Sequence, residues 1–441
     1  MTEFLKQAPP GVAADVARVH DTVAGIIADV RARGLDAVRE HSRTFDGWDP
    51  PSFKVSAAQI EAARRAIAPD VLASLDFAHA QIREFARRQR ATMTDFEVET
   101  LPGVFLGQRQ IPVASAGAYV PGGKYPMLMS AQMSVLTAKV AGVERVVACA
   151  PPYEARGMFP EMLWSIALAG ADEIWCLGGV QALALMACGA EGYEPVDFIS
   201  GPGNMYVAEA KRQLFGEVGI DLLAGPTEIL VIADEGADPR IVAADLLGQA
   251  EHCPTSPAIL VSLSRATGLA VLAEVERQLP QLPTREVAAR SWADHGEVVV
   301  VAGRDEAVAV ADTYAPEHLE VQTADAEWYL EHLRNYGTLC LGEEATITFS
   351  DKAIGTNHTL PTGRAARYTG GLCVGKFLKT VTYQRCTREG ALAIAPHAGR
   401  LADAEHMSGH AKTAYLRIDK YGGAGSRGGT GAEGDGAPGG A

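Results

Sequence analysis

Short β-branched runs alternate with helical segments along two stretches of this chain, and that texture directs it to parallel sheets covered by helices. In the first stretch Arg145-Val-Val-Ala-Cys-Ala150 reads as a buried strand closed by Pro151-Pro152. A helix over 159–170 follows, then a strand at Glu173-Ile-Trp-Cys-Leu177 that ends in Gly178-Gly179. The second stretch gives strands at Ala258-Ile-Leu-Val261, Glu297-Val-Val-Val-Val301 and Gly337-Thr-Leu-Cys-Leu341, with helices near 267–278 and 305–313. The fold class expected is α/β: two incomplete Rossmann-like domains with parallel sheets, a helical N-terminal region and a small C-terminal extension. The divisions fall at 1–104, 105–238, 239–345 and 346–421, with a Gly-rich tail over 422–441 too poor in apolar residues to order. In the N-terminal region Ser56 is placed to cap a helix over 57–66. A second helix starts at Pro69, its buried stripe read at Val71, Leu75, Ala78, Ile82 and Phe85.

Composition matters for what it excludes. A formal net charge of −15 argues against nucleic acid or an anionic membrane as partner. The first residues lack the basic start and apolar run of a signal peptide, and no run has the length of a membrane span. Seven cysteines without a CxxC pair suit reduced thiols, so a cytoplasmic protein acting on a small molecule is expected.

Three segments carry chemistry. Gln249-Ala-Glu-His252 follows a helical apolar pattern, which puts Gln249 and His252 at i and i+3 on one face. A histidine beside an oxygen donor can begin a metal site, but on this fragment alone a satisfied structural histidine is the favoured reading. Further donors occur late, at Asp351, His358, Glu405, His406 and His410, the last three within about one and a half helical turns. One Gln, one Asp and two His make an N/O set suited to zinc. The second segment, Ala315-Pro-Glu-His-Leu-Glu320, reads as a loop bearing Glu317 and His318 side by side. Such a pair brackets neutral pH and suits proton transfer, with a solvated loop as the plainer reading. The third, Ser200-Gly-Pro-Gly-Asn204, opens a helix where exposed N–H groups can meet an anion. Gly178-Gly-Val-Gln181 and the turn 117–123 are similar strand ends. No GxGxxG follows any strand, so a dinucleotide does not follow from these turns alone.

Taken in order, AYVPGG at 118–123, GGVQA at 178–182, GPGNMYVAEAKR at 201–212, GIDLLAGPTEI at 219–229, DLLGQAEH at 245–252, PEHLE at 316–320, GTNHTLPTG at 355–363 and AEHMSGH at 404–410 resemble the histidinol dehydrogenase family. The resemblance runs over roughly residues 10–420. It implies a zinc-dependent, NAD-linked enzyme that takes a primary alcohol through an aldehyde to a carboxylate. It also implies a homodimer whose C-terminal segments exchange. By the same resemblance zinc ligands fall on Gln249, His252, Asp351 and His410, the last reaching the partner's site. Cofactor contacts fall on Tyr119, Gln181 and Asn204. His318 becomes the base for the alcohol and the hydrated aldehyde, and Glu317 the group that activates water. Substrate contacts include Thr227, where the family more often has Ser, and His358 and Glu405, beside the zinc ligands and His318.

The chain departs from the family's usual pattern near the substrate. Ile347 stands where a glutamate usually lies four residues before the zinc aspartate, and Ser350-Asp351-Lys352 replaces Gly-Asp-Tyr. From 352 to 388 there are seven cations and no acid, and Lys124 adds another. Such a bias favours an anionic ligand; a basic surface patch, or contacts to a cofactor pyrophosphate, is the plainer explanation. The stretch 365–384 looks more like the sulfopropanediol dehydrogenase branch, whose substrate is 2,3-dihydroxypropane-1-sulfonate. A small anionic alcohol, bound in part by Lys352, is therefore the favoured substrate, with L-histidinol the alternative. An inactive zinc-stabilised scaffold is a third reading, disfavoured by the intact Glu317-His318 pair.

Overall fold

The β-branched runs become two parallel sheets. The computed structural model describes residues 3–9, 16–122 and 125–423; Lys124 and residues 424–441 of the tail lie outside them. The first sheet is ordered Glu173–Cys176, Arg145–Ala150, Ser115–Tyr119, Phe198–Ser200, Gly219–Ile220, every pairing parallel. Strand order reverses between Ser115–Tyr119 and Phe198–Ser200, the switch point at which open α/β sheets take ligands. In the second sheet Gly296–Val300, Ala258–Ser262, Ile229–Ala233, His318–Gln322 and Thr338–Leu341 run parallel in that order. Glu3–Lys6 adds an antiparallel edge beside Gly296–Val300. Ile229–Ala233 is buried at every position because helices cover both faces. Burying each Val, Leu or Ile there contributes about 1.5–3 kcal/mol.

Several local expectations hold. Ser56 caps Ala57–Ala66 in a reciprocal capping box with Gln59. The helix after it runs Pro69–Ala91 and buries Leu75, Ala78, Ile82 and Ala86; Phe85 is exposed and Val71 only half-buried, so the stripe is displaced at its ends. Other expectations are corrected. The segment 315–320 is not a loop: His318 opens a buried central strand. The helix before His252 ends at Ala250, leaving His252 in the following turn. Glu405 and His406 do not share a helix with His410, because His406 adopts φ 59° between Arg388–Ala404 and Ser408–Tyr421.

The chain forms two compact units. Both parallel sheets and the N-terminal helices belong to one unit, Met1–Thr92 with Pro112–Leu378. The second unit joins Met93–Ile111 to the chain from Lys379 onward. It holds a three-stranded sheet of Leu378–Cys386, Val104–Pro112 and Phe96–Leu101, and two helices packed on each other. Among the described residues no helix is long and apolar enough to cross a membrane.

Candidate active site

The second sheet places the proton-transfer pair at the N-terminal ends of its central strands. Thr227 and Glu228 lead into Ile229–Ala233, and Glu317 leads into His318–Gln322. Parallel pairing sets His318 opposite Ile229, so the side chains just ahead of both strands meet. The Glu317 carboxylate accepts Thr227 Oγ1–H at 2.5 Å and the Glu228 N–H at 3.0 Å. Gln249 donates its amide to Thr227 and lies 3.2 Å from His318 Nδ1. His318 Nδ1 is 3.1 Å from the Glu228 carbonyl, which can only accept, so Nδ1 carries the hydrogen. In the neutral ring Nε2 then holds the lone pair. It is buried without a hydrogen-bond partner and lies 3.7 Å from Asp351 Oδ1, which is equally unpartnered.

The electrostatics follow from that packing. Burial disfavours the charged His318 imidazole, but the Glu317 and Asp351 carboxylates outweigh it and raise its pKa well above the ordinary value. For Asp351 burial is likewise overcome, here by His318, His358 and Lys352, and its carboxyl is held well below the usual range. Glu228 is pushed up to about 7 by burial and then by the charge of Glu317. Its carboxylate also accepts the Gly363 N–H.

A cavity of about 420 Å³ opens beside this network, bordered by Tyr125, Asp245, Gln249, His252, Asp351 and Lys352. Of the four expected metal ligands, Gln249, His252 and Asp351 thus share one wall, an amide, an imidazole and a carboxylate. His410 lies exposed in the second unit, as does Glu405. Among the described residues no three His, Cys, Asp or Glu side chains converge to hold a metal. The donor chemistry and the unpartnered Asp351 Oδ1 nevertheless suit a zinc ion that takes a further ligand from elsewhere. His358 stands behind Asp351: its Nδ1 lies 3.2 Å from the Asp351 carbonyl and its Nε2 2.8 Å from Ser130 Oγ. Ser130 lies in the helix Leu128–Ala131, which runs into a π-turn at Gln132–Leu136 whose Met133 carbonyl accepts the Asn357 amide. Sequence reading missed Ser130, which carried no signal, and Asp245 and Glu228, which flank recognised residues within the same motifs.

The expected cofactor residues gather at the C-terminal edge of the first sheet. Tyr119 ends its strand and accepts the Gly179 N–H on its hydroxyl at 3.3 Å. Gln181, 1% exposed, donates to Asp46 at 3.3 Å while its Oε1 has no partner. Asn204 caps Met205–Leu214 through Oδ1, which accepts from Tyr206 and Val207. The loop before it presses on Tyr119: Gly201 has φ 116°, and a Cβ there would fall 2.1 Å from the Tyr119 carbonyl. Buried Lys211 and Asp221 pair and hold both backbone groups of Gly201.

The basic segment is not one patch. Lys379, Arg385 and Arg388 belong to the second unit, where Arg385 pairs with Glu97. Lys376 donates to Thr369. Of the seven cations, Lys352 is the one that borders the cavity with Gln249 and Asp351.

A topological switch point on one parallel sheet and a buried Glu-His pair beside mixed N/O donors on another describe a two-sheet α/β protein. The chain matches the histidinol dehydrogenase family model over residues 12–418. It is 54% identical to a histidinol dehydrogenase homolog of Shouchella clausii, over 92% of this chain and 95% of that one. It is 46% identical to sulfopropanediol 3-dehydrogenase of Ruegeria pomeroyi, over 95% and 97%. The crystal structure of histidinol dehydrogenase from Elizabethkingia anophelis superposes with a TM-score of 0.88 at 32% identity, covering 94% of each chain. The protein belongs to the histidinol dehydrogenase family, NAD-dependent oxidoreductases that act on CH–OH groups.

Proposed function

We propose that this enzyme oxidises a small anionic primary alcohol, through its aldehyde, to a carboxylate. The observation that carries the chemistry is His318, whose protonated Nδ1 faces the Glu228 carbonyl while its unpartnered Nε2 lies beside Asp351. As hydride leaves the alcohol carbon for NAD, His318 takes the hydroxyl proton. Glu317 then removes a proton from the water that adds to the aldehyde. His318 takes the proton of the hydrated aldehyde as the second hydride leaves. One alcohol and one water thus yield a carboxylate, two NADH and three protons. Gln249, His252 and Asp351 would hold zinc, with His410 supplied by a second copy of the chain. Zinc there would polarise the substrate oxygen and offset the charge of Asp351, which with Glu317 raises the His318 pKa.

Ile347 and Lys352 support the substrate reading. Both border the cavity, an apolar side chain and a cation where relatives usually place an acid and a tyrosine. Asp245, an acid on the same wall, interacts with Glu320 behind it. An anionic head group meeting Lys352 gains a charge-assisted bond of roughly 1.5–3 kcal/mol, about ten- to a hundred-fold in affinity. The test offers purified enzyme 2,3-dihydroxypropane-1-sulfonate and L-histidinol in parallel and follows NADH. The sulfonate should show the higher kcat/KM, and Lys352→Ala should raise KM mainly for it. Preference for histidinol, with Lys352→Ala affecting neither substrate, overturns the anionic reading.

A further inference from the structure

We infer that Asp46 binds the ribose hydroxyls of the dinucleotide and sets the preference for NAD over its 2′-phosphorylated form. This rests on the reading of Tyr119 and Gln181 as the cofactor site. In Rossmann-type sheets a carboxylate near a strand end takes the ribose hydroxyls. Here the strands supply no free one: Asp221, which follows Gly219–Ile220, is committed to Lys211 and the Gly201 N–H. Arg145–Ala150 runs into Pro151 and Pro152, and Glu154 beyond them is exposed and paired with Arg156. Glu173–Cys176 is followed by Leu177, Gly178 and Gly179.

The N-terminal region delivers a carboxylate to this edge instead. Its backbone is tied along Glu173–Cys176: Val55 N–H reaches the Ile174 carbonyl, Cys176 N–H the Phe53 carbonyl, and Trp48 Nε1 the Cys176 carbonyl. That brings Asp46 to Gln181, whose Nε2 donates to Asp46 Oδ2. Asp46 is the last residue of helix Leu35–Asp46, a position where the helix dipole opposes an acid, and Gly47 closes the helix in the left-handed region. It is half-buried, and burial raises its pKa. No cation compensates it among the described residues. The neighbouring Arg39 and Arg43 both turn to Asp49, at 2.6 Å and 3.1 Å.

An independent observation points to a ligand. Gln181 Oε1 is fully buried at the same spot and accepts from nothing. A buried acceptor left alone is costly, and a ribose hydroxyl satisfies it. Together Asp46 and Gln181 Oε1 offer acceptors to a diol. A 2′-phosphate would bring negative charge against Asp46, with Arg39 and Arg43 already committed to Asp49.

The test titrates NADH and NADPH into the full-length protein and into Asp46→Asn and Asp46→Ala, with calorimetry as readout. Asparagine retains an acceptor for Gln181 and the shape of the side chain, but not the charge. Wild type should bind NADH in preference to NADPH. Asp46→Asn should weaken NADH about tenfold and narrow the NADH-to-NADPH ratio by at least that factor. The ratio is taken within each protein, and loss of folded protein lowers both signals alike. Unchanged affinities in Asp46→Asn overturn the proposal, as does an effect confined to Asp46→Ala, which would mean that Asp46 only positions Gln181. Wild type that binds neither nucleotide overturns the cofactor site itself.

Discussion

Glu317 and His318 are adjacent, buried and hydrogen-bonded into one network, and the proposed mechanism gives them different work. Thr227 Oγ1–H and the Glu228 N–H both donate to Glu317. Its replacement by Gln keeps the shape and removes the base. Oxidation of the aldehyde, which needs water activated, should fall by about 10²–10⁴, while oxidation of the alcohol should fall much less. Supplying each half-reaction's substrate separately measures this, and equal losses would contradict the division. His318→Ala should impair both steps, since each hydride leaves a carbon whose oxygen must lose a proton. The metal reading is tested at the same scale. His252→Ala or Asp351→Ala should abolish stoichiometric zinc by metal analysis together with most activity; full zinc in both variants removes these ligands from consideration.

Three elements carry the site, and each is tied one structural repeat away from its chemical residue. Asp245 lies one turn before Gln249, Glu320 shares a strand face with His318, and Ile347 lies one turn before Asp351. Glu320 accepts the Ile347 N–H at 2.9 Å, Gln322 donates to Asp245 at 2.8 Å, and Thr346 donates to Asp245 at 3.1 Å. Burial and then Asp245 push Glu320 up to about 8. Its folded pKa exceeds its unfolded one, so the stability it contributes is full below about 4.5 and is lost as pH rises toward about 8. Thermal unfolding across that window should therefore show Tm falling more steeply for wild type than for Glu320→Gln, and parallel profiles would exclude a proton held by the pair. This arrangement also explains what the sequence concealed. Continuous apolar runs such as Arg145–Ala150 and Ala258–Ser262 were legible as buried strands. His318-Leu-Glu-Val-Gln322 alternates polar and apolar residues, at most a half-buried pattern, and with Pro316 ahead of it the segment 315–320 reads as a loop. Only the partners contributed by Asp245 and by the backbone of Ile347 make burial of Glu320 and Gln322 tolerable, and neither lies nearby in sequence. By contrast the Gln249, Glu317-His318 and Asp351 positions were readable from motif resemblance, and His252 remained beside Gln249 even though the helix ends before it.

At the scale of the whole molecule the proposed zinc site turns on which chain supplies its fourth ligand. Gln249, His252 and Asp351 border one cavity of the first unit, whereas His410 lies on helix Ser408–Tyr421 of the second, exposed. If His410 completes the site of a partner subunit, an active site draws His318 from one chain and His410 from the other. This has a consequence that separates exchange from a self-contained subunit. His318→Ala and His410→Ala should each be inactive as homodimers. When the two are unfolded together and refolded, about half the dimers are mixed, and each mixed dimer holds one site with both histidines intact and one with neither. Activity should return to about a quarter of wild type. A subunit that completes its own site never joins intact His318 to intact His410, so the mixture would stay inactive. Size-exclusion chromatography of each variant before mixing separates loss of the site from loss of the dimer. A dimeric, inactive mixture would place His410 outside the partner's site.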